Sequence, residues 1–144
     1  MGIRNTEKRK LITDPKLKQD LNEEQKKVIE NYYNYDVTFV EGLWGSGKTF
    51  ACVAAAIKSF RKKEVDKIVI TRPFIVDKGL GALPGEVNDK LLFEMQPIID
   101  NFYTLQGKEE TDKMMKEGTL VFQYNGKIKG MTLSSCIFIV DELQ

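Results

Sequence analysis

Gly42 to Thr49 reads Gly-Leu-Trp-Gly-Ser-Gly-Lys-Thr, a fit to G-x-x-x-x-G-K-[ST], the spacing of a loop that cradles a nucleoside triphosphate. Each residue type has its own task there. Gly42, Gly45 and Gly47 let backbone N–H groups crowd around phosphate oxygens with no Cβ in the way. A helix entered at Lys48 aims its positive dipole end at the same anion. Lys48 is the ammonium for the β- and γ-phosphates, and the Thr49 hydroxyl is a ligand for Mg2+. Leu43, Trp44, Ser46 and Phe50 complete the stretch that lies against the nucleotide. Trp44 either packs on that nucleotide or shields it.

A second cluster completes the chemistry. Cys136 to Val140 is an apolar strand that ends in Asp141 and Glu142. Asp141 suits a metal ion, held directly or through water, and Glu142 suits a general base that polarises the attacking water. Side chains alternate along a strand, so these carboxylates are expected on different sides with different tasks. Alone they would read as surface acids at a strand end; the upstream phosphate loop shifts the balance to function. An adjacent glutamate also favours hydrolysis over passive binding or kinase-type transfer.

These side chains need a frame. Val37 to Glu41 is β-branched and aromatic and reads as a buried strand leading into the loop. Phe50, Val53, Ala54, Ile57 and Phe60 form one helical stripe behind it. Arg61, Lys62 and Lys63 suit the negative end of that helix. Lys67 to Thr71 is a second buried strand, so strand, helix and strand predict a parallel crossover. Before the loop, a helix begins near Leu21, with Asn22 as N-cap and Gln25 as capping-box partner. Its apolar residues are Val28, Ile29, Tyr32 and Tyr33.

Asp77 to Gly85, rich in glycine, is expected as a loop. Val87, Leu91, Met95, Ile98, Phe102 and Leu105 line one helical face, with a kink or break before Pro97. Lys108 to Glu117 is a short polar helix closed by Gly118. Leu120 to Tyr124 is a strand, and Asn125-Gly126 signals a hairpin turn. Lys127 to Thr132 is either a return strand or a loop.

The chain has 144 residues, one domain's worth, and a formal net charge of +1. Any nucleic-acid contact must therefore come from a local patch. Residues 1–20 carry Arg4, Lys8, Arg9, Lys10, Lys16 and Lys18 and read as a basic, solvated arm, leaving 21–144 as the nucleotide-binding domain. Histidine is absent, which excludes Cys/His zinc spacing, and Cys52 and Cys136 read as small buried hydrophobes in a reducing cytoplasm. No long uncharged apolar run suits a membrane span.

Taken together, the phosphate loop, Thr71-Arg72-Pro73, Gly79-x-Gly81-x-Leu83-Pro84-Gly85 and Asp141-Glu142-Leu143-Gln144 resemble the PhoH-like proteins. The resemblance runs from about Leu21 to the last residue. It implies an α/β fold with a parallel sheet, a P-loop NTPase core of RecA-like or helicase-like type. ATP and Mg2+ are the implied ligands. RNA or single-stranded DNA and ring-shaped homo-oligomers are the implied partners. Gln25 resembles the glutamine that reads adenine, set against its capping role. Arg72 resembles the arginine beyond a strand end that contacts nucleic acid or a neighbouring subunit's nucleotide, set against a surface ion pair. Gln144 resembles the glutamine that senses γ-phosphate.

Two departures stand out. Lys129-Gly130-Met131-Thr132 replaces an Arg-Gly-Arg-Thr run and loses one basic residue. Folds of this class also insert a sensor strand between the loop strand and the acidic Walker B strand. In sequence it follows the acidic strand and would lie beyond Gln144, so the expectation is a core incomplete after Walker B. Three functions follow: a Mg2+-dependent ATPase, a nucleotide-binding module without turnover, and a nucleic-acid-binding protein whose affinity ATP adjusts.

Overall fold

The computed structural model describes residues 16–73, 84–124, 128, 130 and 132–143. Among these, four helices and three strands form: α1 Glu23–Asn34, α2 Lys48–Arg61, β1 Lys67–Arg72, α3 Pro84–Gln106, α4 Lys108–Glu117, β2 Leu120–Tyr124 and β3 Cys136–Val140. The sheet is wholly parallel, in the order β2-β1-β3. Helix α2 packs on β1 and β3, while α3 and α4 pack on β2; α1 rests on α2, which also meets α3.

β1 holds the centre because its residues tolerate burial on both faces. Ile68, Val69, Ile70 and Thr71 are all buried, the pattern of an interior parallel strand. β3 alternates instead: Ile137 and Ile139 are buried, whereas Phe138 is 37% exposed. Its register sets Lys67 opposite Cys136 and Thr71 opposite Val140, so Arg72 and Asp141 emerge together at one end of the sheet. Asp141 N–H still donates to the Thr71 carbonyl at 2.9 Å, which continues the ladder into the site.

The helices follow their apolar spacing. Val53, Ala54 and Ile57 of the α2 stripe are buried, and so are Ala51, Ala55, Ala56 and Ser59, so α2 is enclosed nearly all round. Phe50 and Phe60 pack at the margins of the same core. Leu91, Met95, Ile98, Phe102 and Leu105 bury the α3 face. Gly118 closes α4 at φ 73°, in the left-handed region that glycine adopts freely. Leu17 joins the core margin, and Lys18 N–H donates to the Leu105 carbonyl at 2.9 Å.

Several expectations need correction. Residues 37–41 form no strand: Val37, Phe39 and Glu41 are exposed while Thr38 and Val40 are half-buried. The alternation of a strand is present, but no ladder partner is among the described residues. Among the described residues the parallel crossover therefore lacks its first strand. Pro97 does not break α3, which runs from Pro84 through it to Gln106. Pro84 and Gly85 belong to that helix and not to the preceding loop; proline suits a first turn because its missing N–H has no helical partner there. The Asn125-Gly126 turn, most of the 77–85 segment and residues 1–15 lie outside the described residues.

Candidate active site

The phosphate loop is built by local geometry. Ser46 N–H donates to the Leu43 carbonyl at 3.2 Å, a tight turn around Trp44 and Gly45. Gly47 is the N-cap of α2 at φ 80° and ψ 25°. The backbone angle demands glycine, and a Cβ added there would stand 2.7 Å from Gln25 Nε2, displacing that amide. No side chain caps α2 and no acid stands in its first turn. Its leading N–H groups therefore keep their capacity for an anion.

Lys48 curls back over the loop, its Nζ donating to the carbonyls of Gly42 and Leu43 at 2.9 Å each. The ammonium thus sits where phosphate oxygens would replace backbone ones. Trp44 is 99% exposed and Leu43 86% exposed, so the tip of the loop carries a bare apolar surface.

Gln25 approaches from α1. Its Oε1 accepts the Asn22 N–H at 3.0 Å, and Asn22 Oδ1 accepts the Gln25 N–H at 2.8 Å. Both halves of the capping box are formed. The tie between Tyr32 Oη and Ser59 Oγ, 2.9 Å apart, holds α1 against α2 and so sets the Gln25 amide beside Gly47.

The acidic end closes the site. Thr49 Oγ1 donates to Asp141 Oδ1 at 2.8 Å, joining the first turn of α2 to the end of β3. A hydroxyl and a carboxylate are the hard oxygen donors that Mg2+ takes from a protein when phosphates supply further ligands. Among the described residues no three His, Cys, Asp or Glu side chains gather into a cage, so phosphate oxygens would complete the shell of a cation that the site binds weakly alone. Arg72 faces both acids, with Nε 3.7 Å from Asp141 Oδ2 and Nη2 3.8 Å from Glu142 Oε1.

The two carboxylates keep different neighbours, Asp141 meeting both Thr49 and Arg72, and Glu142 meeting Arg72 through another nitrogen. Glu142 adopts φ 54°, a left-handed angle uncommon outside glycine, and this turn ends the alternation of β3. Both acids therefore meet one guanidinium. Sequence reasoning missed that convergence; its signal was an arginine and an aspartate each directly after an apolar strand. Cys52, read as a small buried hydrophobe, lies near Asp141. That thiol, largely buried on α2, is pushed up to about 11 by burial and by the negative charge of Asp141. Gln144 lies outside the described residues.

Comparison with known proteins bears on this arrangement. A family model described as "PhoH-like protein" matches residues 18–144. The chain belongs to the PhoH-like family. A PhoH-like protein from Synechocystis is 31% identical over 121 residues, covering 83% of this chain and 37% of that relative. One from Bacillus subtilis is 28% identical, covering 83% and 38% respectively. Protein PhoH of Escherichia coli K12 is 28% identical over 126 residues, covering 85% and 36%. The chain thus spans somewhat over a third of the length of these relatives. PhoH-like membership carries the P-loop NTPase fold, with which the three-stranded parallel sheet agrees. Among the described residues no helix is long and apolar enough to cross a membrane.

Proposed function

We propose that this chain binds ATP with Mg2+ and hydrolyses it. The observation that carries this reading is the 2.8 Å bond between Thr49 Oγ1 and Asp141 Oδ1, which unites two separate motif residues at the loop's edge. Lys48 exchanges its two carbonyl bonds for stronger, charge-assisted ones to β- and γ-phosphate oxygens. The amides of Gly45, Gly47 and Lys48 surround the same phosphates. The chemistry that Mg2+ supplies, bound by Thr49 and Asp141, is neutralisation of charge on those oxygens. Glu142 orients water for in-line attack and accepts its proton. Phe50 and Trp44 border the nucleotide, Gln25 contacts the base, and Gln144 senses the γ-phosphate.

Phosphate release with Mg·ATP, compared with Lys48→Ala, tests this. Turnover lost in the variant supports hydrolysis, whereas saturable binding without phosphate release supports a module that only binds. Coupling to RNA or single-stranded DNA, ring assembly and a cytoplasmic site of action belong to the same family-based reading. Salt-sensitive filter binding of single-stranded RNA, with and without nucleotide, tests the first of these.

A further inference from the structure

Arg72 does more than face the acids. Beyond Asp141 and Glu142, its Nη1 donates to the Glu94 carbonyl of α3 at 3.1 Å. The side chains of Arg72 and Asp141 are only 29% and 13% exposed, so water and salt screen this pair less than a surface bridge. This contact falls in the turn of α3 that precedes Pro97. Only a planar guanidinium with five N–H groups meets three such partners together; a lysine ammonium presents one point charge.

The acids are held from the other direction too. Asp141 gives one oxygen to Thr49 and turns the other to Arg72. Glu142 reaches the same guanidinium through its left-handed backbone. Resting on the nucleotide reading above, we infer that Arg72 is a positioning residue that fixes the Asp141–Glu142 pair to α3 and competes, as a built-in cation, with the divalent ion for those carboxylates.

Two opposite effects follow from this dual role. Removing the guanidinium leaves more negative charge for a metal ion, so the metal binds more tightly. The same removal unties Glu142, so turnover falls. A residue that merely propped up the fold would weaken both, and one that touched phosphate would weaken nucleotide binding even without metal.

The test compares the full chain with Arg72→Gln and Arg72→Lys. Mn2+ titrations are run with and without ATP, binding of a fluorescent ATP analogue is measured in EDTA, and kcat and KM are separated. Arg72→Gln should bind Mn2+ at least about threefold more tightly. Its kcat should fall about tenfold or more, with affinity in EDTA within about twofold. Arg72→Lys should fall between on both axes, and it carries the comparison if the glutamine variant fails to fold. Mn2+ affinity equal to or weaker than that of the unaltered chain would overturn the inference, as would a loss of affinity in EDTA. An unaltered chain that binds ATP no better than Lys48→Ala would overturn the nucleotide reading instead. The ATP-free Mn2+ titration still decides the role of Arg72 in that event.

Discussion

Thr49 Oγ1 and Asp141 Oδ1 meet across 2.8 Å of space and 92 positions of chain. The contact exists because α2 packs on β3 while the β1–β3 register carries Asp141 one step past the ladder. A displacement of that register by one residue would turn Asp141 to the other face of the sheet and part the two. The site therefore depends on strand pairing as much as on the motif residues themselves.

Gly47→Ala should destabilise the chain by about 1–2 kcal/mol, the cost of a Cβ in the left-handed region. It should also push the Gln25 amide off the loop, because that Cβ would stand 2.7 Å from Nε2. Adding Gln25→Ala removes the clash but leaves the backbone cost and gives up the capping-box contact, so the double variant should stay less stable than Gln25→Ala alone. Urea denaturation of Gly47→Ala, Gln25→Ala and the double variant checks this; a double variant as stable as Gln25→Ala alone would show that the backbone angle costs nothing.

Gln25 combines a cap with a place beside the loop, and the two can be separated. Asn22→Ala should cost about 1 kcal/mol of stability through loss of the cap. It should leave the preference for ATP over GTP unchanged. Gln25→Ala should cost a similar amount and also narrow that preference. Competition binding of the two nucleotides reads the difference, and equal preference in both variants would leave Gln25 as a cap alone.

Trp44 is the only tryptophan and stands 99% exposed, so its fluorescence reports on the loop alone. Mg·ATP bound in the loop should shift its emission to shorter wavelength and protect it from quenching by iodide. Lys48→Ala should abolish both changes. An emission spectrum insensitive to saturating nucleotide would place the ligand away from this loop.

Cys52 gives a pH dependence of known sign. Burial and Asp141 raise its thiol from 9.0 to about 11 in the folded chain. Below 9.0 it is neutral whether folded or unfolded, and its contribution to stability is fully present. As pH rises from there toward about 11, the unfolded chain ionises first and this contribution is lost at up to about 1.4 kcal/mol per pH unit. Cys52→Ala should flatten that alkaline decline in a denaturation series. An equal decline in both proteins would mean that other groups govern it.

Much of this frame was legible beforehand for physical reasons. β3 and α4 could be bounded from sequence because an apolar run before acids, and a polar helix before glycine, carry their own stop signals. The Asn22–Gln25 box was equally local. Residues 37–41 misled because β-branched and aromatic residues report suitability for a sheet and not the presence of a partner strand. The break expected before Pro97 does not occur because α3 buries its apolar face deeply enough, through Met95, Ile98 and Phe102, to offset a lost helix bond. The meeting of Arg72 with both acids and the left-handed angle of Glu142 were hidden because register and backbone angle at a strand end are tertiary properties.

The most direct test is a double-mutant cycle on the gain in ATP affinity that Mg2+ confers, using Thr49→Val, Asp141→Asn and both together. Convergence on one metal–phosphate unit predicts strong coupling, about 1 kcal/mol or more, with the double variant losing little beyond the worse single one. Losses that add to within about 0.5 kcal/mol would mean that Thr49 and Asp141 serve separate sites, and would contradict it.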